Sequence, residues 1–184
     1  HKIKDFCLVT DFVANGSFAS LKENVKYLDD EDYAILVRFT DYVKKWKSKF
    51  KYVSLKSYNF LKHSSLQPGD LIMSNVGDPG QVFILPDLGK PMTLGPNSIL
   101  IRPEKHITNS KFLFYYFQST KGINQIKKII TSTAQSKFNK TSFRDLEINL
   151  PSLADQKKII SKLDSVQKLA SKYKEVFLKI EILS

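Results

Sequence analysis

The side chains that could support catalysis are few and lie far apart in the sequence. Asp155-Gln156-Lys157 matches the end of a carboxylate–x–Lys nuclease signature, but it falls in the first turn of a predicted helix, where capping explains an acidic residue. Cys7 lies in an apolar segment and is predicted to be a small core residue. The histidines, which lack metal-ligand spacing, are His1, His63 and His106. We therefore expect no catalytic residue, no metal site and no cofactor.

Basic residues, in contrast, are concentrated in two long stretches of a chain whose net charge is +11. Residues 42–69 contain seven lysines, residues 105–144 contain eight lysines or arginines, and neither stretch contains an acid. Aromatic residues alternate with the first group of lysines, at Trp46, Phe50, Tyr52, Tyr58 and Phe60. Lysines neutralise phosphates and flat rings pack on sugars and bases, so the pattern predicts a polyanion-binding surface. An ordinary solvated face of a lysine-rich protein would have the same composition.

Polar residues in the predicted loops are candidates for reading bases. Asn and Gln can contact adenine edges, Arg and Lys can contact guanine, and further lysines can bind phosphates. The candidate DNA-binding residues are Arg38, Thr40, Lys44, Lys45, Lys47, Ser74, Asn75, Gln135, Lys137 and Asn139. Each of them also has a purely structural explanation as a turn residue or a helix cap.

Residues 1–150 have the pattern of a mixed α/β unit. Short runs rich in β-branched and aromatic residues predict strands at 6–9, 33–40, 51–55, 71–74, 81–85, 98–102 and 146–150. Residues 75–80 are predicted to form a hairpin loop and residues 86–96 a turn cluster. Helices are predicted at 111–118 and 123–130, separated at Gly122, and the polar segment 131–139 is predicted to be a loop.

The C-terminal segment, residues 151–184, carries a sustained heptad pattern. Pro151 ends the last predicted strand, and one helix is predicted from 153 to 184. Its apolar residues recur at alternating steps of four and three, at Ile159, Leu163, Val166, Ala170, Tyr173, Phe177 and Ile180. A single helix cannot bury this seam alone, so the pattern predicts dimerisation or pairing with another helix. We expect an α+β fold: a mixed-sheet domain followed by a long coiled-coil helix.

Composition also bears on the compartment. One cysteine excludes an internal disulfide and is typical of a reducing cytoplasm. The longest apolar runs are too short to span a bilayer.

Three stretches together resemble the specificity (S) subunit of type I restriction–modification systems, and in particular one half of it. The first is residues 66–84, in which Gly69-Asp70 precedes an apolar strand and two later glycines. The second is residues 131–151. The third, residues 151–164, is similar to the family's Pro-x-x-x-Glu-Gln-x-x-Ile signature, with Asp155 in place of Glu. Their order and spacing extend over most of the chain.

The resemblance implies a DNA target-recognition domain at residues 1–150 and a conserved spacer and dimerisation helix at residues 151–184. Whole specificity subunits carry two such units, whose helices pack antiparallel and fix the gap between the half-sites of a bipartite DNA sequence. They have no catalytic residues, and they dock the methyltransferase (modification) subunit and, through it, the restriction subunit. The expected partners are therefore double-stranded DNA, the modification subunit, and a second copy of this chain or a missing second half.

Two other functions fit the same features. The chain would serve equally as the recognition region of a fused restriction–methylation enzyme, in which methyltransferase motifs precede residue 1. It would also fit a coiled-coil interaction protein whose basic face is only solvated surface and binds no DNA.

Overall fold

A computed structural model describes residues 1–131 and 135–183, with the side chains of residues 175–183 outside this description. The described α-helices and β-strands follow one another in this order: β1 (Cys7–Asp11), α1 (Phe18–Asn24), β2 (Ala34–Val37), α2 (Phe39–Val43), β3 (Lys51–Val53), α3 (Leu55–Phe60), β4 (Ser65–Leu66), β5 (Leu71–Ser74), β6 (Val82–Ile84), β7 (Met92–Leu94), β8 (Ser98–Pro103), α4 (Ser110–Gln118), α5 (Thr120–Ile129), α6 (Lys140–Arg144) and α7 (Leu153–Leu183).

The strands form two four-stranded sheets. One has the order β1-β8-β5-β6 and is antiparallel throughout. The other has the order β3-β2-β7-β4, in which only the β2–β7 pair is parallel. Apolar residues from both sheets, including Ile72, Phe83 and Leu94, form one hydrophobic cluster, so the two sheets pack face to face.

Strand β5 shows how the sequence produces this layered arrangement. All four of its residues are buried. Leu71 and Met73 join a cluster with α4, α5 and α6, whereas Ile72 points into the cluster between the sheets. The first sheet is therefore covered on both faces, and the second is covered on its far face by Leu21 and Leu61, which belong to the cluster around α1 and α3.

Helices α4 and α5 meet at a tight junction. Ser119 ends α4, and its hydroxyl accepts a hydrogen bond from the Gly122 amide at 3.2 Å, which caps α5. A Cβ at Gly122 would lie 2.1 Å from the carbonyl oxygen of Tyr116. Gly122 is therefore required for the close approach of the two helices.

Helix α7 leaves the globular part with two different faces. Ser152 precedes it and accepts a hydrogen bond from the Asp155 amide at 3.2 Å. Gln156 and Ile160 face the domain, since Gln156 is fully buried and Ile160 packs against the first hydrophobic cluster. At about 100° per residue, the centre of the heptad stripe lies roughly 90° around the helix from this contact face, and Leu163 lies at the near edge of the stripe, about 20° from Gln156.

The mixed α+β fold with a long C-terminal helix is confirmed. Strands at 51–55, 71–74, 81–85 and 98–102 are found within two residues of the predicted limits, and residues 75–80 connect an antiparallel hairpin. The turn before β5 has the expected geometry, with a positive φ of 91° at Gly69 and an Asp70 amide that donates to the Gln67 carbonyl.

Several predicted elements were wrong. Residues 146–150 form only an isolated bridge between Glu147 and Lys2, because their burial comes from packing beneath the first sheet. The predicted turn cluster at 86–96 contains β7. The strand predicted at 33–40 ends at Val37, and α2 begins two residues later, at Phe39. Gly122 lies inside α5 and does not separate the helices.

Candidate nucleic-acid interface

Two of the predicted reading loops form one ridge. The Gly77 amide donates to the Ser136 carbonyl at 2.9 Å, and the Phe138 amide donates to the Asn75 carbonyl at 3.1 Å. Val76 and Lys137 form the bridge between these bonds. Segments more than fifty residues apart in sequence are thus paired, and we call residues 74–80 and 135–138 the ridge.

Within the ridge, Ser74 and Asn75 have different environments. Ser74 is only 4% exposed; its hydroxyl donates to the Asp78 carbonyl and accepts from the Gln81 amide at 3.2 Å. This hydroxyl shapes the loop. The Asn75 side chain donates to the Phe138 carbonyl at 3.3 Å, while its Oδ1 is buried and has no hydrogen-bond partner among the described residues. A buried acceptor without a hydrogen bond lowers the free energy of unfolding by about 1–3 kcal/mol.

A groove of about 430 Å³ separates the ridge from the start of α2. Arg38, Thr40 and Ser74 line it together, with Asn97 on its far side. Asn97, in the β7–β8 loop, has a φ of 66° and accepts a hydrogen bond from the Asn75 amide at 3.2 Å. The groove therefore brings together residues from three separate segments of the chain.

Asp41 organises one wall of this groove. It is fully buried, and it accepts hydrogen bonds from the Arg38 amide at 2.9 Å and from the Arg38 guanidinium at 2.6 and 3.2 Å. The Ser48 hydroxyl adds a longer contact at 3.4 Å. The Arg38 guanidinium is thereby fixed in place, with 30% of the side chain still exposed toward solvent.

Directly after α2 comes a turn that carries three exposed lysines, Lys44, Lys45 and Lys47, which we call the lysine turn. Lys45 and Trp46 both have a positive φ, of 55° and 60°. The conformation is held from inside, because the Trp46 amide donates to the Asp41 carbonyl at 2.8 Å and the indole packs on Phe83 at 5.4 Å. Fixing the tryptophan inward directs the neighbouring lysines outward.

Three other lysines are paired with acids of the cluster at residues 29–32. Lys51 pairs with Asp29, Lys49 with Asp30 at 3.5 Å and Lys90 with Glu31 at 2.9 Å. The hydrogen bond from Lys51 lowers the pKa of Asp29. No salt bridge involves the lysine turn in the described part of the chain, so its positive charge is uncompensated.

The remaining sequence predictions have mixed environments. Lys137 and Gln135 are exposed on the ridge. The Asn139 side chain accepts from the Ser142 amide at 2.8 Å and so caps α6. The five aromatic residues interleaved with the lysines are half-buried and pack on the hydrophobic clusters, so they support the basic surface from beneath. Their stacking on sugars and bases stays a prediction.

Replacing Asp41 with alanine is expected to lower the free energy of unfolding by about 2–3 kcal/mol, because the Arg38 guanidinium loses its buried partner. Chemical denaturation measures this change. The control is Asp145→Ala, which removes an exposed carboxylate paired with Lys4 at 2.8 Å and is expected to change stability little, because exposed ion pairs are screened by water. Equal losses in the two variants would contradict the organising role of Asp41.

The comparison with protein families identifies the fold. A family model, the type I restriction modification DNA specificity domain, matches residues 2–182. The chain belongs to this family. Among curated proteins, none matches the chain.

Solved structures agree with this specificity-domain fold. A chain in a structure that concerns complex assembly and conformational transition of the type I R-M system is 14% identical, with a TM-score of 0.69, over 95% of this chain and 39% of that one. The HsdS subunit from Thermoanaerobacter tengcongensis is 16% identical, with a TM-score of 0.55, over 95% and 38%. The type I S subunit from M. genitalium is 14% identical, with a TM-score of 0.55, over 93% and 40%. This specificity domain thus spans about two fifths of each matched chain.

The heptad stripe of α7 is exposed in this specificity domain. Ile159 is 38% exposed, Leu163 36%, Val166 63% and Tyr173 60%. Ala170 is exposed as well, while the side chains of Phe177 and Ile180 lie outside the described residues. Contiguous apolar surface of this kind is characteristic of an interaction face.

The contribution of Asn97 and the central role of Asp41 were not predicted from the sequence. Asn97 directly follows the predicted turn cluster at 86–96 and was not singled out, although Asn is a residue type that tolerates a positive φ in turns. Asp41 lies three residues after Arg38, a spacing typical of an acidic residue in the first turn of a helix. This spacing was the only sequence feature that indicated its role.

Two kinds of feature are absent from the described residues. No group of three His, Cys, Asp or Glu residues suited to a metal occurs among the described residues. Nor does the described part of the chain include a helix able to cross a membrane.

Proposed function

We propose that this chain is a sequence-specific DNA-binding module that directs a type I restriction–modification complex to its target by reading one half-site of a bipartite sequence. The observation that carries the proposal is the convergence of the ridge, the α2 groove and the uncompensated lysine turn. Phosphate contacts position a protein on DNA, while side chains in a groove read the base edges. The lysine turn suits the first task, and Asn75, Lys137 and Arg38 suit the second.

Asn75 is the best candidate for a direct base contact. Its Oδ1 has no partner among the described residues, and its amide nitrogen makes one long bond of 3.3 Å. Turning the Asn75 side chain toward DNA therefore breaks only one long hydrogen bond within the described part of the chain. An Asn side chain that reaches an adenine forms two hydrogen bonds with N6 and N7, which satisfies both of its ends.

Residues 1–150 would serve as the target-recognition domain and residues 151–184 as the spacer and dimerisation helix. The exposed heptad of α7 requires a second helix, supplied by another copy of the chain or by a second half of the same subunit. The modification subunit, and through it the restriction subunit, would supply the catalysis in the cytoplasm. This chain would contribute recognition alone and no cofactor.

Methylation profiling tests the proposal directly. The native complex that contains this chain is expressed with its modification subunit in a host without other methyltransferases, and methylated positions are mapped across the genome. We expect a single bipartite motif in which one half-site changes or disappears with Asn75→Ala. The control is Asn59→Ala, an exposed asparagine in α3, outside the ridge and the groove.

Two outcomes would replace the proposal. If the methylated DNA sequence is lost only when methyltransferase motifs upstream in the same polypeptide are inactivated, the chain is the recognition region of a fused restriction–methylation enzyme. No methylation and no DNA binding, in the presence of the modification subunit, would leave a coiled-coil interaction protein.

A further inference from the structure

Gln156 joins α7 to the globular part through a complete set of hydrogen bonds. The side chain is fully buried. Its Oε1 accepts from the Thr108 hydroxyl at 2.9 Å and from the Asn109 amide at 3.0 Å. Its Nε2 donates to the carbonyls of Ile107 at 3.1 Å and Pro151 at 3.0 Å. One side chain thus connects the start of α7 to the segment that precedes α4, with both of its ends in use.

A second connection lies two helical turns further along α7. The Asp164 carboxylate accepts from the Lys111 ammonium at 2.7 Å and from the Tyr115 hydroxyl, and both donors belong to α4. The Tyr115 hydroxyl also contacts Gln167 at 3.0 Å. Ile160 packs against the hydrophobic cluster between the two connections. After Gln167, the described side chains of α7 are all exposed.

We propose that these two connections, which we call the α7 clamp, fix the direction of α7 relative to the reading surface and thereby set the spacing between the two half-sites. The proposal rests on the function proposed above. Gln156 and Asp164 act as positioning residues: they contact no DNA, and they act through the orientation of the helix. A helix held at one point pivots about it, whereas a helix held at two points about 12 Å apart cannot.

The lengths involved make spacing sensitive to this clamp. Residues 167–183 extend α7 by about 24 Å beyond the second connection, at 1.5 Å per residue. A rotation of about 10° at the clamp moves the far end of that segment by about 4 Å. This exceeds the rise of one base pair, about 3.4 Å. A loose clamp would therefore let the complex accept sites whose spacers differ by one base pair.

The identity of residue 156 matters for the same reason. Glutamate in this position would keep the acceptor toward Thr108 and Asn109 but would place a second acceptor against the carbonyls of Ile107 and Pro151. Alanine would leave buried donors and acceptors without partners, each at a cost of about 1–3 kcal/mol. Only a side-chain amide satisfies all of these groups.

Spin labels measure the clamp without reference to DNA. Lys56→Cys in α3 and Lys172→Cys in α7 provide two exposed labelling sites, while the native Cys7 is buried. Double electron–electron resonance, on labelled chain diluted with unlabelled chain, gives the distribution of distances between them. We expect Asp164→Ala to widen the distribution by about 4 Å, from a pivot of about 10° about Gln156 over the roughly 24 Å to residue 172. Gln156→Ala is expected to widen it by about 2 Å, from the same rotation about Asp164 over the roughly 12 Å to residue 172. Lys157→Ala, an exposed neighbour of Gln156, is the matched control and is expected to leave the width unchanged.

Should Gln156→Ala fail to fold, Asp164→Ala carries the test, because the Asp164 side chain is 38% exposed and its loss leaves no buried group alone. An unchanged width in the folded variants would overturn the clamp.

Methylation profiling in the native complex tests the consequence for spacing. With the wild-type chain, we expect sites whose spacer is one base pair longer or shorter to be methylated at least about tenfold more slowly, which corresponds to about 1.4 kcal/mol. With Gln156→Ala or Asp164→Ala, the same half-sites are expected to tolerate these spacers with most of that preference lost.

The two proposals fail in different ways. If the wild-type complex yields no bipartite motif, the proposed function is refuted, and so is the role of the clamp in spacing. The spin-label distances still test whether the clamp fixes the direction of α7. If the motif is bipartite and the variants widen the distance distribution but keep the original spacer, the clamp exists and its role in spacing is refuted.

Discussion

Replacing Lys44, Lys45 and Lys47 together with alanine is expected to flatten the salt dependence of DNA binding by about 2.7 in the slope of log K against log salt concentration. Each phosphate contact by a lysine contributes about 0.9 to this slope through counterion release. Relative to binding at about 1 M salt, this slope difference lowers affinity at about 0.1 M salt by roughly 500-fold, and it does so for every DNA sequence. Titrations at several salt concentrations, with target and unrelated duplexes, measure both quantities.

The structural reason for this large effect is the distribution of ion pairs. Asp29, Asp30 and Glu31 neutralise lysines next to the lysine turn, but none of these acids contacts the turn itself. The ammonium groups of the turn are consequently free of internal competition when a phosphate approaches. The packing of Trp46 on Phe83 holds the backbone of the turn in place, so the turn itself does not have to be ordered on binding.

The matched control is the triple variant Lys49→Ala, Lys51→Ala and Lys90→Ala, which removes the same total charge. These lysines already have carboxylate partners, so they release fewer counterions and the slope is expected to change little. An equal change of slope in both triple variants would mean that binding depends on total charge alone. The lysine turn would then not be part of the interface.

The strands of the fold were predictable where the sequence signal is local. The segment at 71–74 is a continuous apolar run, bounded by Gly69-Asp70 and the glycines of the following loop, and its limits in the structure are the predicted ones. The short helices α1 and α3 were not predicted, since six or seven residues are too few for a helical periodicity. Their caps were visible, however: Ser17 and Ser54 each accept the amide three residues ahead.

Segments whose environment comes from distant parts of the chain were not predictable in this way. Residues 146–150 alternate like a strand, but the described residues offer them no sheet edge. Instead, the Ile3 amide donates one hydrogen bond to the Leu146 carbonyl, and Ile148 and His1 exchange a pair of backbone hydrogen bonds. Strand β7, hidden in a stretch rich in turn residues, exists because it pairs with β2 in parallel and with β4.

The candidate site shows the same division. Residue types identified the loops, but they could not separate Ser74 from Asn75. The Ser74 hydroxyl is used inside the loop, whereas the Asn75 Oδ1 has no partner among the described residues. Nor could they show which of the lysines are neutralised, because the pairs join residues about twenty or more positions apart. These properties depend on three-dimensional proximity, which composition and periodicity do not contain.

Placing charges on the α7 seam is expected to abolish pairing of the helix. The variant Leu163→Glu with Val166→Glu puts two carboxylates in the stripe that the wild-type chain would bury against a second helix. An unpaired buried carboxylate costs several kcal/mol. A combined penalty of about 4 kcal/mol raises the dissociation constant about 10³-fold. Sedimentation equilibrium of the chain, from low to high micromolar concentration, measures the change.

The control variant, Ser161→Glu with Ser165→Glu, adds the same two charges to α7 outside the seam. Both serines are exposed, and at heptad spacing they lie on the outer face of the helix. We expect this variant to associate like the wild-type chain. A wild-type chain that remains monomeric at high micromolar concentration would exclude self-pairing, and the same two variants then test pairing with a second half of the subunit.

Pairing and recognition are expected to separate in these variants, since the seam lies outside the ridge, the groove and the lysine turn. The Leu163→Glu, Val166→Glu chain should keep its affinity for a duplex that carries one half-site, yet lose the gain that a duplex with both half-sites provides. That gain arises because linking two binding units makes the second contact intramolecular. A variant that binds both duplexes as the wild type does would show that the seam has no part in joining the half-sites.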